Sequence, residues 1–147
     1  MLNRLSSYTI SDEAIKYISL FESVTGCKVK DCIIGERILF VVGEAQAGIA
    51  IGRNGSNVRK IEGLTNKNVR IIEFNPDVIQ FIRNYLYPIE LREIKFENRI
   101  VMLSGNDKFT NGMIIGRGGK NLEFLTSLVK RYFDIDNVKV APKRVGY

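Results

Sequence analysis

An eight-residue block, Ile51-Gly52-Arg53-Asn54-Gly55-Ser56-Asn57-Val58, returns 64 positions later as Ile115-Gly116-Arg117-Gly118-Gly119-Lys120-Asn121-Leu122. Upstream, the run Arg37–Gly43 matches Arg99–Gly105 at a spacing of 62, and downstream Asn68-Val69-Arg70-Ile71 matches Asn137-Val138-Lys139-Val140 at a spacing of 69. Three blocks repeated in one order define two copies of a single unit, and together the copies use nearly all of the 147 residues. The chain is therefore expected to fold as two small domains, residues 1–74 and 75–147, each close to the lower size limit for an independent core.

Local signals give each unit the same elements. Ser11 is expected to cap a first helix that carries Asp12 and Glu13 in its first turn, with Ile10 and Ile15 as a hydrophobic staple; Gly26 should stop it. In the second copy Asn75 is the expected cap, Pro76 the first helical residue, and Phe74 and Ile79 the staple, with the stop just before Pro88. Two strands follow, 28–34 and 37–42, or 89–96 and 99–103, linked tightly through Gly35-Glu36 or Glu97-Asn98. The second strand of each pair is nearly continuous in apolar residues, the pattern of a strand at a sheet centre.

A short helix, 45–51 or 108–115, then leads into the glycine block. A longer amphipathic helix leaves it, 56–64 or 120–132, and a last strand closes the unit. Because that strand is reached through a helical crossover, it should run parallel to the strand before it, with a right-handed connection. The expected fold class is α/β in the broad α+β sense: in each unit a small mixed three-stranded sheet with helices packed on one face.

Composition narrows the chemistry. The chain has no histidine, which removes Ser-His-Asp and Cys-His nucleophiles and the commonest metal ligand together. Two cysteines, Cys27 and Cys32, cannot complete a four-ligand zinc site, and five residues of extended chain would hold them too far apart for a disulfide. No metal, no cofactor and no enzymatic activity are expected. No apolar run is long enough to cross a bilayer and the first ten residues lack a signal-peptide pattern, so the expected address is cytoplasmic, with no membrane partner. Twenty-two basic against sixteen acidic residues give a net charge of +6, a balance that favours nucleic acid as partner.

The glycine blocks concentrate that charge. Residues 45–61 carry Arg53, Arg59 and Lys60 and no acid, and residues 108–122 carry Lys108, Arg117 and Lys120 and no acid. Gly52, Gly55, Gly116, Gly118 and Gly119 permit positive φ and close approach of another backbone, and Asn54 tolerates the same angles. A helix start behind each loop is expected to offer free N–H groups and a positive dipole end to a phosphate. Ile51 and Ile115, with Ile49, Val58, Met113 and Leu122, could line an apolar groove for bases beside it, although for each of them helical spacing predicts burial in the core first.

Nucleotide motifs fail on spacing, since a P-loop would need glycine at Ile114 and Ser or Thr at Asn121, and a dinucleotide fingerprint would need glycine at Asn121. One such corner by itself would read as a structural helix–helix turn. Two, each with arginine second and each opening a basic helix, point to a shared ligand.

The Ile-Gly-x-x-Gly segments between helices resemble KH domains, and the helix-first, strand-last order resembles their type II variant. From about Ser11 to Val140 the chain is similar to the tandem KH pair of the NusA transcription elongation and termination factors. The resemblance rests on Ile51–Arg59, Ile71-Ile72-Glu73-Phe74 with the following Asn75-Pro76, and Ile115–Asn121. It implies a non-enzymatic protein that binds single-stranded RNA of nascent transcripts and takes part in transcription elongation, termination or antitermination. The implied contacts are Ile51, Gly52, Arg53, Asn54, Gly55, Asn57, Arg59 and Lys60 in the first copy, and Ile115, Gly116, Arg117, Gly118, Gly119, Lys120 and Asn121 in the second, with KH loops clamping about four nucleotides.

It also implies the short, archaeal-type form without the additional domains of bacterial relatives, acting as a monomer with RNA polymerase or the ribosome as a possible protein partner. The alternative on the same chemistry is a ribosome-associated or RNA-processing KH protein. Gly118, where a second basic residue often stands, is expected to weaken phosphate attraction slightly at the second loop. The basic tail Pro142-Lys143-Arg144 is expected to be a solvated terminus.

Overall fold

The computed structural model describes residues 10–142, so Lys143 and Arg144 of the basic tail lie outside it. The chain divides into two compact units that meet in sequence at Asn75 and Pro76. Each holds one three-stranded sheet with its strands in sequence order.

The first unit runs α1 (Asp12–Thr25), β1 (Val29–Ile34), β2 (Ile38–Val42), α2 (Ala47–Ile51), a 3-10 turn (Arg53–Gly55), α3 (Ser56–Thr65) and β3 (Val69–Glu73). β1 pairs antiparallel with β2, and β2 pairs parallel with β3, so the helical crossover does set strand direction as expected. All five residues of β2 are buried. Ile38, Phe40 and Val42 join Phe21, Ala50, Ile61 and Ile71 in one core, where the Phe21 and Phe40 rings lie 4.4 Å apart. Cys27 and Cys32 are buried in that core as free thiols.

Two corners in this unit are built alike. Thr25 Oγ donates to the Phe21 carbonyl and accepts from the Cys27 amide, while Gly26 turns the chain at φ 73° and the Glu22 carboxylate accepts from Val29 N at 2.8 Å. Forty residues on, Thr65 bonds the Ile61 carbonyl and the Lys67 amide, Asn66 turns at φ 56°, and Glu62 accepts from Val69 N at 2.9 Å. Each corner satisfies the last helical carbonyls and ties the first amide of the next strand to the helix it leaves. The pattern Glu-x-x-Thr-Gly/Asn-x-x-Val was legible in the sequence as a second, shorter repeat.

The second unit runs α4 (Val78–Leu86), β4 (Leu91–Glu97), β5 (Ile100–Gly105), α5 (Lys108–Ile115), a 3-10 turn (Arg117–Gly119), α6 (Lys120–Tyr132) and β6 (Asn137–Val140). β4 pairs antiparallel and β6 parallel with β5. Phe81 of α4 packs its ring against Tyr132 and Phe133 at 5.5 and 5.6 Å between centroids. Buried Asn111 holds the far end of the sheet, accepting from Gly105 N and donating to the Ala141 carbonyl.

Four local expectations are corrected. α4 is capped by Asp77, whose carboxylate accepts from Ile79 N at 3.2 Å, and not by Asn75; Pro76 lies before the cap, and Val78, Phe81 and Ile82 rather than Ile79 are the deeply buried residues of the first turns. At α1 the Ser11 cap forms as expected, its hydroxyl accepting from Ala14 N, but Ile15 stays 52% exposed while Ile10 packs on the core. The second hairpin turns on Asn98 and Arg99, both at positive φ, one residue later than expected. This primed turn matches strand twist, and the Arg99 guanidinium is clamped by Asp134 at 2.7 Å and Asp136 at 3.0 Å. Those hydrogen bonds, that to Asp134 foremost, hold the guanidinium pKa above its already high ordinary value.

Finally, burial pairs Ile38 with Val101, not Ile100. Val101 and Leu103 are the fully buried residues of β5, and Val101 stands opposite Val138 as Ile38 stands opposite Val69. The shift follows from the shorter second turn, because one residue of slip exchanges the faces of a strand.

Candidate nucleic-acid interface

Each glycine corner is a 3-10 turn between two helices, and the two turns have nearly the same backbone. Gly52 sits at φ 80°, ψ 170° and Gly116 at φ 76°, ψ 174°, a region open essentially to glycine alone. Two residues on, Asn54 and Gly118 are left-handed at φ 54° and 64°, and Gly55 and Gly119 follow at 74° and 77°. A β-carbon on Gly52 would lie 2.8 Å from Ser56 Oγ, and one on Gly116 would lie 2.5 Å from Asn121 Cγ. The first glycine of each motif is thus fixed twice, by torsion and by space.

The corners are braced in the same way. Asn57 Nδ2 donates to the Ile49 carbonyl at 3.3 Å and Asn121 Nδ2 to the Met113 carbonyl at 3.1 Å, so the helix after the loop is tied back to the helix before it. Sequence reasoning placed Asn57 and Asn121 among the ligand contacts; the structure also gives each this bracing bond. Arg59 donates to the Asn54 carbonyl and so lies back over the first loop.

The expectation of a free helix start needs correction. No side chain caps α3 or α6, but Gly55 N and Gly119 N each bond the carbonyl three residues back at 3.1 Å, and the amides of Ser56 and Lys120 bond Arg53 O and Arg117 O. A 3-10 turn closes its hydrogen bonds at i to i+3 and thereby uses two of the four amides that an abrupt helix start would leave open. The loop tips offer charge instead. Arg53, Asn54, Arg59 and Lys60 are exposed on the first unit, and Arg117, Gly118, Lys120 and Asn121 on the second, while Ile51 and Ile115 are half-buried at the helix ends.

In the second unit a groove of about 640 Å³ opens beside the loop, between α6 and β6. It begins at Gly119 and passes apolar Leu122, Val138 and Val140; Thr126, Ser127 and Asn137 supply hydrogen-bonding groups, Lys130 and Lys139 supply cations, and Glu123 supplies one carboxylate. Of the apolar residues expected to form a groove, only Leu122 lines this one. Ile49 is 61% exposed and Met113 40% exposed on the helices ahead of the loops. The sequence carried a signal for the rest of the groove: Gly119, Leu122, Glu123, Thr126, Ser127 and Lys130 share one face of α6 at helical spacing. Among the described residues no cluster of His, Cys, Asp or Glu has the makings of a metal site, and no helix is long and apolar enough to cross a membrane.

A glycine corner between two helices, set on a three-stranded sheet with one antiparallel and one parallel pairing, defines a KH domain, and the KH domain family matches this chain over residues 15–99. A "probable transcription termination protein NusA" of Halococcus morrhuae is 34% identical over 90% of this chain and 98% of its own length. The protein of the same name from Methanococcus vannielii is 37% identical over 89% of this chain and 78% of its own length. The crystal structure of APE1850 superposes with a TM-score of 0.73 at 27% identity, covering 90% of this chain and all of that one. The chain belongs to the KH-domain family, as a protein of the NusA type.

Proposed function

We propose that this protein is an RNA-binding transcription factor of the NusA type that captures single-stranded nascent RNA at its two glycine loops and acts in elongation, termination or antitermination. The observation that carries the reading is the duplication of one loop geometry: two turns with matching torsions, each braced by an asparagine and each presenting exposed arginine and lysine, in a chain with NusA relatives. Phosphates would be drawn by Arg53 and Lys60 at one loop and by Arg117 and Lys120 at the other, and bases of the second site would lie in the groove between α6 and β6. Lys130 and Lys139 join the candidate contacts that the sequence suggested.

The test is a fluorescence titration with single-stranded and duplex RNA over a salt series. Wild type is compared with a variant carrying Arg53→Asp, Asn54→Asp, Arg117→Asp and Gly118→Asp. All four positions are exposed, and a β-carbon at Gly118 meets nothing within 4 Å, so the variant should fold. Wild type should prefer single strands with a steep salt slope, and the folded variant should lose most of that affinity. Equal binding by the variant would reduce the loops to structural corners. Co-purification with polymerase rather than ribosomal subunits would support the transcriptional role.

A further inference from the structure

Among the exposed apolar side chains, Phe109 and Met113 stand apart because they share one face of α5 with the loop. They are 75% and 40% exposed, and residues 109, 113 and 116 follow the i, i+4, i+7 spacing of a single helical face that ends at Gly116. A single exposed apolar residue is ordinary, and Tyr87 is 76% exposed as well; what distinguishes Phe109 is that Met113 lies one turn on along the same face, leading to the loop. The spacing allows no rescue by the core, because Asn111 and Ile114 are the buried residues of the same helix. The first unit has no aromatic counterpart: exposed Ile49 occupies the Met113 position, but Ala45, ahead of α2, falls where Phe109 would be.

The charge around this ring fits a polyanion. Lys108 precedes it, Arg117 and Lys120 follow at the loop, all three exposed, and residues 108–122 contain no acid. Asp107, next in sequence, is the helix cap, its carboxylate accepting from Thr110 N at 2.7 Å. Seven residues of helix place Phe109 about 10 Å from Gly116 along the axis, within reach of a nucleotide next to one whose phosphate lies at the loop.

We infer that Phe109, with Met113 beside it, is a stacking platform for a base of the same RNA strand outside the loop and groove, giving the second unit an extra nucleotide subsite that the first lacks. This rests on the proposed RNA-binding reading. An aromatic face accepts any base, so the subsite adds affinity without a sequence code, and being apolar it adds nothing to the salt dependence.

The experiment titrates the full chain with single-stranded RNA octamers carrying 2-aminopurine at each position in turn. Wild type is compared with Phe109→Ala, Phe109→Leu and Phe109→Trp, each checked for an unchanged melting temperature. Phe109→Ala should weaken binding about tenfold at an unchanged salt slope, Phe109→Leu should recover little of it, and Phe109→Trp should recover most. At one position the probe's fluorescence should be quenched by wild type and not by Phe109→Ala. If wild type binds the octamers but Phe109→Ala binds as tightly, or no probe position responds to the substitution, the platform is refuted while the loop reading stands. If Phe109→Leu binds like wild type, stacking is refuted in favour of simple apolar contact. If wild type binds no RNA, both readings fall.

Discussion

Gly52 and Gly116 hold a backbone conformation that no other residue adopts at small cost, whereas Gly55, Gly118 and Gly119 occupy the left-handed region that asparagine or aspartate also visits. Asn54 in the place of Gly118 shows the second kind of position at work. The motif therefore contains glycines of two kinds, and alanine substitutions should separate them. Gly116→Ala combines a forbidden torsion with a β-carbon 2.5 Å from Asn121, and is expected to cost about 3 kcal/mol or more and to dislodge the Asn121 brace. Gly119→Ala has the same sign of φ but meets nothing within 4 Å, and should cost only about 1–2 kcal/mol. Denaturant unfolding of the two variants measures the difference; equal losses would mean that space at Gly116 does not matter.

At the scale of elements, the first unit is held at its corners by a device that the second unit does not repeat. The Thr25 and Thr65 hydroxyls each serve a helical carbonyl and an amide beyond the helix, so Thr25→Ala and Thr65→Ala are each expected to lose about 1 kcal/mol in thermal or denaturant unfolding. Thr126 bonds only the Leu122 carbonyl within α6, and Thr126→Ala should be near neutral because alanine is the better helix former.

These corners also show where sequence reasoning reached and where it stopped. Strand direction, the buried β2, the span of α5 and α6 and the position of both glycine turns followed from periodicity and from the repeat. The start of α4 did not, because Asn75-Pro76 and Asp77 offer two competing caps and only three-dimensional packing of Val78 and Phe81 decides between them. The face pairing of β5 with β2 did not either: a two-residue turn at Asn98-Arg99 against a three-residue turn after Ile34 changes parity without disturbing the match of apolar letters. The candidate groove was missed because its walls come from α6 and β6, whose side chains look like an ordinary solvated face until the strand is set beside the helix.

Over the whole molecule the modest excess of basic residues matters less than where the acids are committed. Asp134 and Asp136 are held by Arg99, Asp77 and Asp107 cap helices, Glu22 and Glu62 tie strand amides, and Glu93 pairs with Lys95 at 3.6 Å. Arg53 and Arg117 at the loop tips are left facing solvent. A net charge of +6 spread evenly would give RNA binding a diffuse salt dependence, insensitive to any one residue. Charge focused at two loops gives a dependence that falls in steps.

For single strands each neutralised phosphate contributes about 0.7 to the slope of log K against log salt. Arg53→Ala and Arg117→Ala should therefore each lower the slope by about 0.7, and the double variant by about 1.4, since each neutralised phosphate releases its own counterions. Lys95→Ala, on β4 and paired with Glu93, should leave it unchanged. A slope that drops as much for Lys95→Ala as for the arginines would show that net charge, not the loops, draws the strand. A drop for one arginine alone would assign phosphate capture to that loop's unit.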